Sequence, residues 1–218
     1  MFRTISKVIA PHSCIFCNRE SNIVCSDCLE DKISRRMPAC VWCNRLEDTG
    51  KTCASCRYHT PLLRTTILCR LDDNTAQLIY KLKYDGATDI AELLGNKLGE
   101  LAQGYQYDFV TCVPSEGRSQ RRRGYNQAEL IARAVSHSLG VPYVSTQHRT
   151  KHVPQIGEGR VHRLDQVKGN FVPAKVLTGK RILIVDDVVT TSATLSECAR
   201  VLKDAGARSV SAAALAKK

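Results

Sequence analysis

One run limits the fold more than any other: Arg181-Ile-Leu-Ile-Val-Asp-Asp-Val-Val-Thr-Thr-Ser-Ala-Thr-Leu195, which joins an apolar strand, an acid pair and a hydroxyl-rich turn without a spacer. Ile182 to Val185 is β-branched and apolar, the pattern of a strand buried on both faces. Asp186 and Asp187 follow at once, and burying two adjacent carboxylates is costly. The pair therefore belongs at the carboxyl end of a strand, where an open α/β sheet places its ligand crevice. Thr190, Thr191, Ser192, Ala193 and Thr194 then lead into a segment with helical periodicity (Leu195, Cys198, Ala199, Val201, Leu202) that closes at Gly206. A turn feeding a helix offers free N–H groups and the positive end of the dipole, which suits a phosphate. Acids followed by such a cradle suit a phosphorylated sugar. The competing reading, an ordinary helix cap, explains an Asp-Asp pair alone but not the whole run.

That run resembles the phosphoribosyl pyrophosphate (PRPP) motif of the type I phosphoribosyltransferases: apolar strand, two acids, then Thr-Thr-Gly-x-Thr. Ser192 stands where those enzymes carry glycine, so a Cβ crowds the approach to the phosphate unless its hydroxyl donates a bond instead.

The amino-terminal part obeys a different rule. Of eleven cysteines, eight precede residue 57 as four Cys-x-x-Cys pairs: Cys14/Cys17, Cys25/Cys28, Cys40/Cys43 and Cys53/Cys56. This spacing lets both thiolates of a knuckle face one tetrahedral ion, so eight ligands predict two full, structural zinc sites of four cysteines each. The segment has too few apolar residues to fold by burial, and metal supplies the deficit. The sequential assignment puts Cys14, Cys17, Cys25 and Cys28 on one ion and Cys40, Cys43, Cys53 and Cys56 on the other; an interleaved cross-brace is the alternative. A disulfide scaffold needs a secreted chain, and Met1 to Ala10 is too short and too charged for a secretory signal. A redox role does not need four matched pairs.

From about Pro61 the pattern changes, which predicts a zinc ribbon over residues 1–60 and an α/β domain over 61–218. Expected strands are Leu62 to Leu71, Phe109 to Val113, Val141 to Thr146, Phe171-Val172, Ile182 to Val185 and Ser209 to Leu215. Expected helices begin at the Asp72-Asp73-Asn74 cap, near Ile90, near Asn126 and after Thr194. Such alternation predicts a doubly wound, mostly parallel sheet with helices on both faces. Val113-Pro114-Ser115 through Arg118, Arg123 and Gly124 reads as a strand end followed by a cationic loop, suited to a pyrophosphate leaving group. Residues 148 to 171, carrying Arg149, Lys151, Gln155, Arg160, Arg163 and Lys168, read as a basic lid. The net charge of +11 favours anionic partners. No apolar run is long enough to span a bilayer.

Leu82-Lys83-Tyr84-x-Gly86, Val113-Pro114, Arg123-Gly124-Tyr125-Asn126-Gln127-Ala128, Gln155, Arg163, Phe171 and the Asp-Asp-Val-Val-Thr-Thr run, after paired cysteine knuckles, together resemble the ComF/GntX family. Gln166 departs from that family's pattern, as Ser192 does. The resemblance implies a type I phosphoribosyltransferase-like fold, PRPP with Mg²⁺ as ligand, and a cytoplasmic role in natural competence. Single-stranded DNA or other competence proteins are the partners it suggests. Asp186 and Asp187 would meet the ribose hydroxyls; Thr190, Thr191, Ser192, Ala193 and Thr194 would hold the 5′-phosphate. Pro114, Ser115, Arg118, Arg123 and Gly124 would face pyrophosphate, and Arg163 would act from the lid. Three functions compete: phosphoribosyl transfer to an unknown acceptor, a non-catalytic factor that senses PRPP or binds single-stranded DNA, and a purely structural zinc-ribbon adaptor in which the Asp-Asp cradle is idle.

Overall fold

The computed structural model of the chain describes residues 13–33, 38–149, 171–174 and 176–218. Among them a four-stranded parallel sheet runs in the order β1-β6-β5-β2, built from β1 (Leu62–Arg70), β2 (Phe109–Cys112), β5 (Arg181–Val189) and β6 (Ser209–Lys217). A separate antiparallel pair joins β3 (Gln147–Arg149) to β4 (Phe171–Pro173). The helices are α1 (Ser26–Lys32), α2 (Asp73–Tyr84), α3 (Asp89–Ala102), α4 (Gly117–Arg123), α5 (Gln127–Leu139) and α6 (Ala193–Asp204).

Alternation along β5 divides the core in two. Leu183 and Val185 join the cluster of Leu78, Leu94, Leu98, Ile131 and Val135 from α2, α3 and α5. Ile182 and Ile184 join that of Leu195, Cys198 and Leu202 from α6. A side-chain period of two thus feeds opposite faces of one strand, and the doubly wound expectation holds. On the first face α3 and α5 pack without room to spare: a Cβ at Gly95 would lie 2.6 Å from Ala134 Cβ, and one at Gly99 would lie 2.6 Å from Ser138 Cβ.

Three expectations need correcting. The acid pair lies within β5, because β6 continues to pair alongside it (Asp186 with Ala214, Val189 with Lys217), whereas β2 pairing ends at Cys112 opposite Val185. The cationic stretch expected as a loop is the helix α4, ended by Gly124 at φ 80°; its run of Gln and Arg favours helix without needing an apolar stripe. Residues 141 to 146 contribute a single parallel bridge, Tyr143 beside Val110, rather than a strand.

The cysteine knuckles lie against this body. Cys14, Cys25, Cys28, Leu29 and Ile33 belong to the first core cluster, and Val41 to the second. The segment from Cys40 to Cys56 is held by polar contacts as well: Thr52 Oγ1 donates to Leu62 O at 2.6 Å. Lys217, 5 % exposed at the end of β6, donates to Val41 O at 2.9 Å and to Asn44 Oδ1. No helix among the described residues is long and apolar enough to cross a membrane.

Candidate functional site

At the carboxyl ends of β2 and β5 the chain leaves the sheet in two directions, and a crevice opens between them. Val113 N still donates to Val185 O at 2.9 Å; Pro114 then ends the strand. Asn126 fixes the far side, since its Nδ2 donates to Val113 O at 3.1 Å while its Oδ1 accepts from Ala128 N at 3.1 Å and caps α5. The result is a cavity of about 210 Å³. Its walls include Pro114, Ser115, Arg123, Asp186 and Thr194, all named from sequence. Arg149 also lines it, paired with Glu116 at 3.1 Å.

The two acids occupy different environments. Asp187 is 6 % exposed; its Oδ2 meets Lys83 Nζ at 2.6 Å and accepts from Gln127 Nε2 at 3.2 Å. Its Oδ1 accepts from Val188 N at 2.7 Å, so both oxygens are engaged by the protein. Asp186 instead lines the cavity, with Oδ1 accepting from Asp187 N at 2.9 Å. Desolvation and the neighbouring Asp187 charge push the Asp186 carboxyl well above the usual carboxylate range. Such a group gains from any ligand that brings a cation or hydroxyl donors.

Lys83 and Gln127 stand in the sequence as motif residues without a role, and the fold supplies one. A substitution tests it. Lys83→Met leaves Asp187 charged and poorly hydrated, which should destabilise the protein by about 2 kcal/mol, below the ~3–5 kcal/mol of a fully buried pair because Lys83 is partly exposed. Adding Asp187→Asn should restore much of the loss, a coupling that denaturant titration of the four proteins would measure.

Beyond Val189 the chain makes the expected turn into α6. Thr190 is exposed, Thr191 and Thr194 are half-buried, and Ser192 and Ala193 are buried. Ser192 takes the left-handed conformation, φ 52° and ψ −3°, at the N-cap of α6. Its hydroxyl is buried without a hydrogen-bond partner in the protein. It lines a small cavity of about 20 Å³ with Asp186, Thr190, Thr191 and Thr194, room for about one oxygen-sized group. A glycine would relieve both the backbone and the hydroxyl, so Ser192→Gly should raise the stability of the ligand-free protein by about 1 kcal/mol, read by thermal melting.

Arg118 is carried on α4, and Gly124 ends that helix. Arg163, Lys151, Gln155, Arg160, Gln166 and Lys168 lie outside the described residues.

The cysteines gather as two sets, Cys14, Cys17, Cys25, Cys28 and Cys40, Cys43, Cys53, Cys56, with the sulfurs of each set within 4.8 Å of one another. This is the sequential pairing, not the cross-brace. Cys17 and Cys25 sulfurs lie 3.7 Å apart and Cys43 and Cys53 sulfurs 3.6 Å apart. Those distances are far beyond the ~2.05 Å of a disulfide. They match the edge of about 3.8 Å that a tetrahedron with Zn–S bonds of ~2.3 Å requires. The thiols of each set titrate together as one group: burial and the neighbouring thiols push Cys28 and Cys56 up to about 12, while Cys14 and Cys53 are drawn down to about 6. Both sets are therefore consistent with zinc.

The family model of the phosphoribosyl transferase domain matches residues 84–218, more than half the chain and the part that carries the crevice. The chain belongs to that family. It is 27 % identical to Competence protein F of Haemophilus influenzae over 222 residues, covering 94 % of this chain and 96 % of the relative. Competence protein ComFC of Streptococcus pneumoniae is 24 % identical over 214 residues, covering 95 % and 94 %. The DNA utilization protein YhgH of Salmonella typhimurium is 28 % identical over 201 residues, covering 86 % and 87 %. Within the phosphoribosyl transferase family, this domain is thus of the ComF/YhgH kind, with four-cysteine clusters at its amino-terminal side.

Proposed function

We propose that the chain binds PRPP with Mg²⁺ at the carboxyl ends of β2 and β5, and transfers the phosphoribosyl group to an acceptor with release of pyrophosphate. The observation that carries this reading is the cavity shared by Asp186, Thr194, Arg123, Pro114 and Ser115. In the transfer the bond from C1 of the ribose to the pyrophosphate oxygen breaks, and its electron pair leaves on pyrophosphate. A bond forms from the acceptor's nucleophile to C1, and the acceptor loses a proton.

The chain's part is positioning and charge stabilisation. Asp186 accepts hydrogen bonds from the ribose hydroxyls. Asp187, already engaged by Lys83 and Gln127, keeps the end of β5 in register with α2 and α5. Backbone donors from Thr190 to Thr194 hold the 5′-phosphate, with the Ser192 hydroxyl as a further donor. Arg118 and Arg123, with Pro114, Ser115 and Gly124, face pyrophosphate, and Arg163 closes over it. Mg²⁺ suits the oxygen ligands here, with Asp186 to hold it, and when bound it would offset the charge of the pyrophosphate.

A second reading is a PRPP sensor without turnover, or a single-stranded-DNA-binding factor. The buried Ser192 at a position of left-handed backbone favours it, since that side chain occupies space next to the cradle. In either reading the protein works in the cytoplasm on DNA taken up by the cell, residues 1–60 form a module holding two structural zinc ions, and residues 61–218 form the transferase-like domain.

Calorimetric titration with PRPP and Mg²⁺, together with an assay for released pyrophosphate, separates these. Binding with pyrophosphate release supports transfer. Binding without release across a panel of acceptors supports the sensor, and absence of binding refutes both PRPP readings.

A further inference from the structure

An ion pair on the crevice wall has no part in the transfer as described above. Arg149 Nη2 lies 3.1 Å from Glu116 Oε1, and both residues line the cavity with Pro114, Ser115 and Arg123. Arg149 is held from behind. It ends β3, in which Gln147 Nε2 donates to Cys198 O of α6 at 3.0 Å; just ahead of that strand, Thr146 Oγ1 lies 2.9 Å from Thr111 Oγ1 of β2. The Arg149 guanidinium carbon is 5.8 Å from the centre of the Phe171 ring, and Phe171 is its register partner in β4. The Arg149 side chain is 30 % exposed and that of Glu116 58 %. The fold therefore fixes the cation, and the acid is the movable member of the pair.

An acid on this wall works against the ligand proposed for it. Pyrophosphate carries several negative charges, and a carboxylate among its contacts repels it. Glu116 gains little stability in return, since ion pairs at such exposure are weak. A carboxylate does, however, make the same N–H···O⁻ contact with a guanidinium that a phosphate oxygen makes.

We infer that Glu116 takes the place of a ligand phosphate in the ligand-free protein, and that Arg149 changes partner from Glu116 to the pyrophosphate group when PRPP enters. Glu116 then turns out into solvent. Arg149 is a further binding residue of the crevice, and Glu116 sets its specificity: a multiply charged phosphate displaces the carboxylate, whereas a singly charged anion competes with it poorly. The inference rests on the PRPP reading for the identity of the ligand.

The test is calorimetric titration of the zinc-loaded, full-length protein with PRPP and, separately, with inorganic pyrophosphate, both with Mg²⁺. Glu116→Gln keeps the shape of the side chain and removes its charge. It should bind both ligands about three- to fivefold more tightly, the reverse of what losing a structural contact would do. Arg149→Met should bind both at least about tenfold more weakly, with Arg149→Lys between it and the wild type. In the Arg149→Met background Glu116→Gln should gain less than it gains alone, because no guanidinium remains to compete for. Circular dichroism shows which variants fold, and Arg149→Lys carries the test if Arg149→Met does not. No gain in Glu116→Gln, or wild-type affinity in the arginine variants, overturns the inference and leaves the PRPP reading standing. The expected pattern with pyrophosphate but no binding of PRPP keeps the exchange of partners and removes the PRPP reading. Absence of binding of either ligand by the wild-type protein overturns both.

Discussion

Asp186→Asn is expected to weaken PRPP binding by at least about 100-fold while making the ligand-free protein more stable. The loss follows from the environment of the side chain. Asp186 is the acid that lines the crevice, whereas Asp187 has both oxygens committed to Lys83, Gln127 and Val188. Charge-assisted bonds to two ribose hydroxyls, at about 1.5–3 kcal/mol each, account for a drop of that order. The stabilisation follows from the direction of its ionisation. Its folded carboxyl titrates above its unfolded one, so the native state binds more protons, and the native wild type loses stability as pH rises from about 4 through the folded value. Asparagine carries no such penalty. Its advantage should be absent below about pH 4 and grow as the solution becomes less acidic, reaching about 1 kcal/mol, an ordinary exchange between stability and function. Calorimetry for binding and melting curves at several pH values check both halves. Unchanged PRPP affinity would remove Asp186 from the donor site.

Cys28→Ser should have a still larger effect on the fold. It takes a ligand from the first cysteine set, so bound zinc should fall from two ions to one, leaving the second set loaded. The neighbouring Leu29 and Ile33 belong to the same buried cluster as Leu78 and Leu94, so the change should reach past the knuckle into the α/β body. A loss on the order of 5 kcal/mol, and thus a melting point lower by about 10–20 °C, is expected. Cys14→Ser should remove the same ion, and the double variant should be little worse than either single one, because one absent metal cannot be lost twice. Metal analysis of Cys14→Ser, Cys28→Ser and Cys43→Ser together checks the pairing. A single substitution that released both ions would contradict it.

Much of this is legible without coordinates, for physical reasons that differ by segment. The cysteine sets announce themselves because ligand spacing is local. The acid pair and the turn after it are likewise one continuous run, so strand, carboxylates and helix start read off in order. The Lys83–Asp187 contact does not, since it joins the end of one helix to a strand far away in sequence, and nothing about a lysine near a helix end specifies its partner. Helix α4 escapes a sequence reading because its residues carry no apolar stripe; its backbone settles by propensity and by the left-handed Gly124. Sequence puts the acids past the strand's end because it shows where apolar character stops. It does not show that β6 keeps pairing alongside, with small alanines opposite.

Strand β6 lies between β1 and β5, and near its end Lys217 reaches back to Val41 and Asn44. During translation β1, bridged to the cysteine segment through Lys51 and Arg64, therefore leaves the ribosome well before its parallel partner β6 exists. The nascent chain must wait, with the parallel ladder of β1 unfilled, until the last described element emerges and inserts between two already synthesised ones. Assembly is for this reason obligatorily late, and zinc captured early would hold the first-made segment compact during the interval.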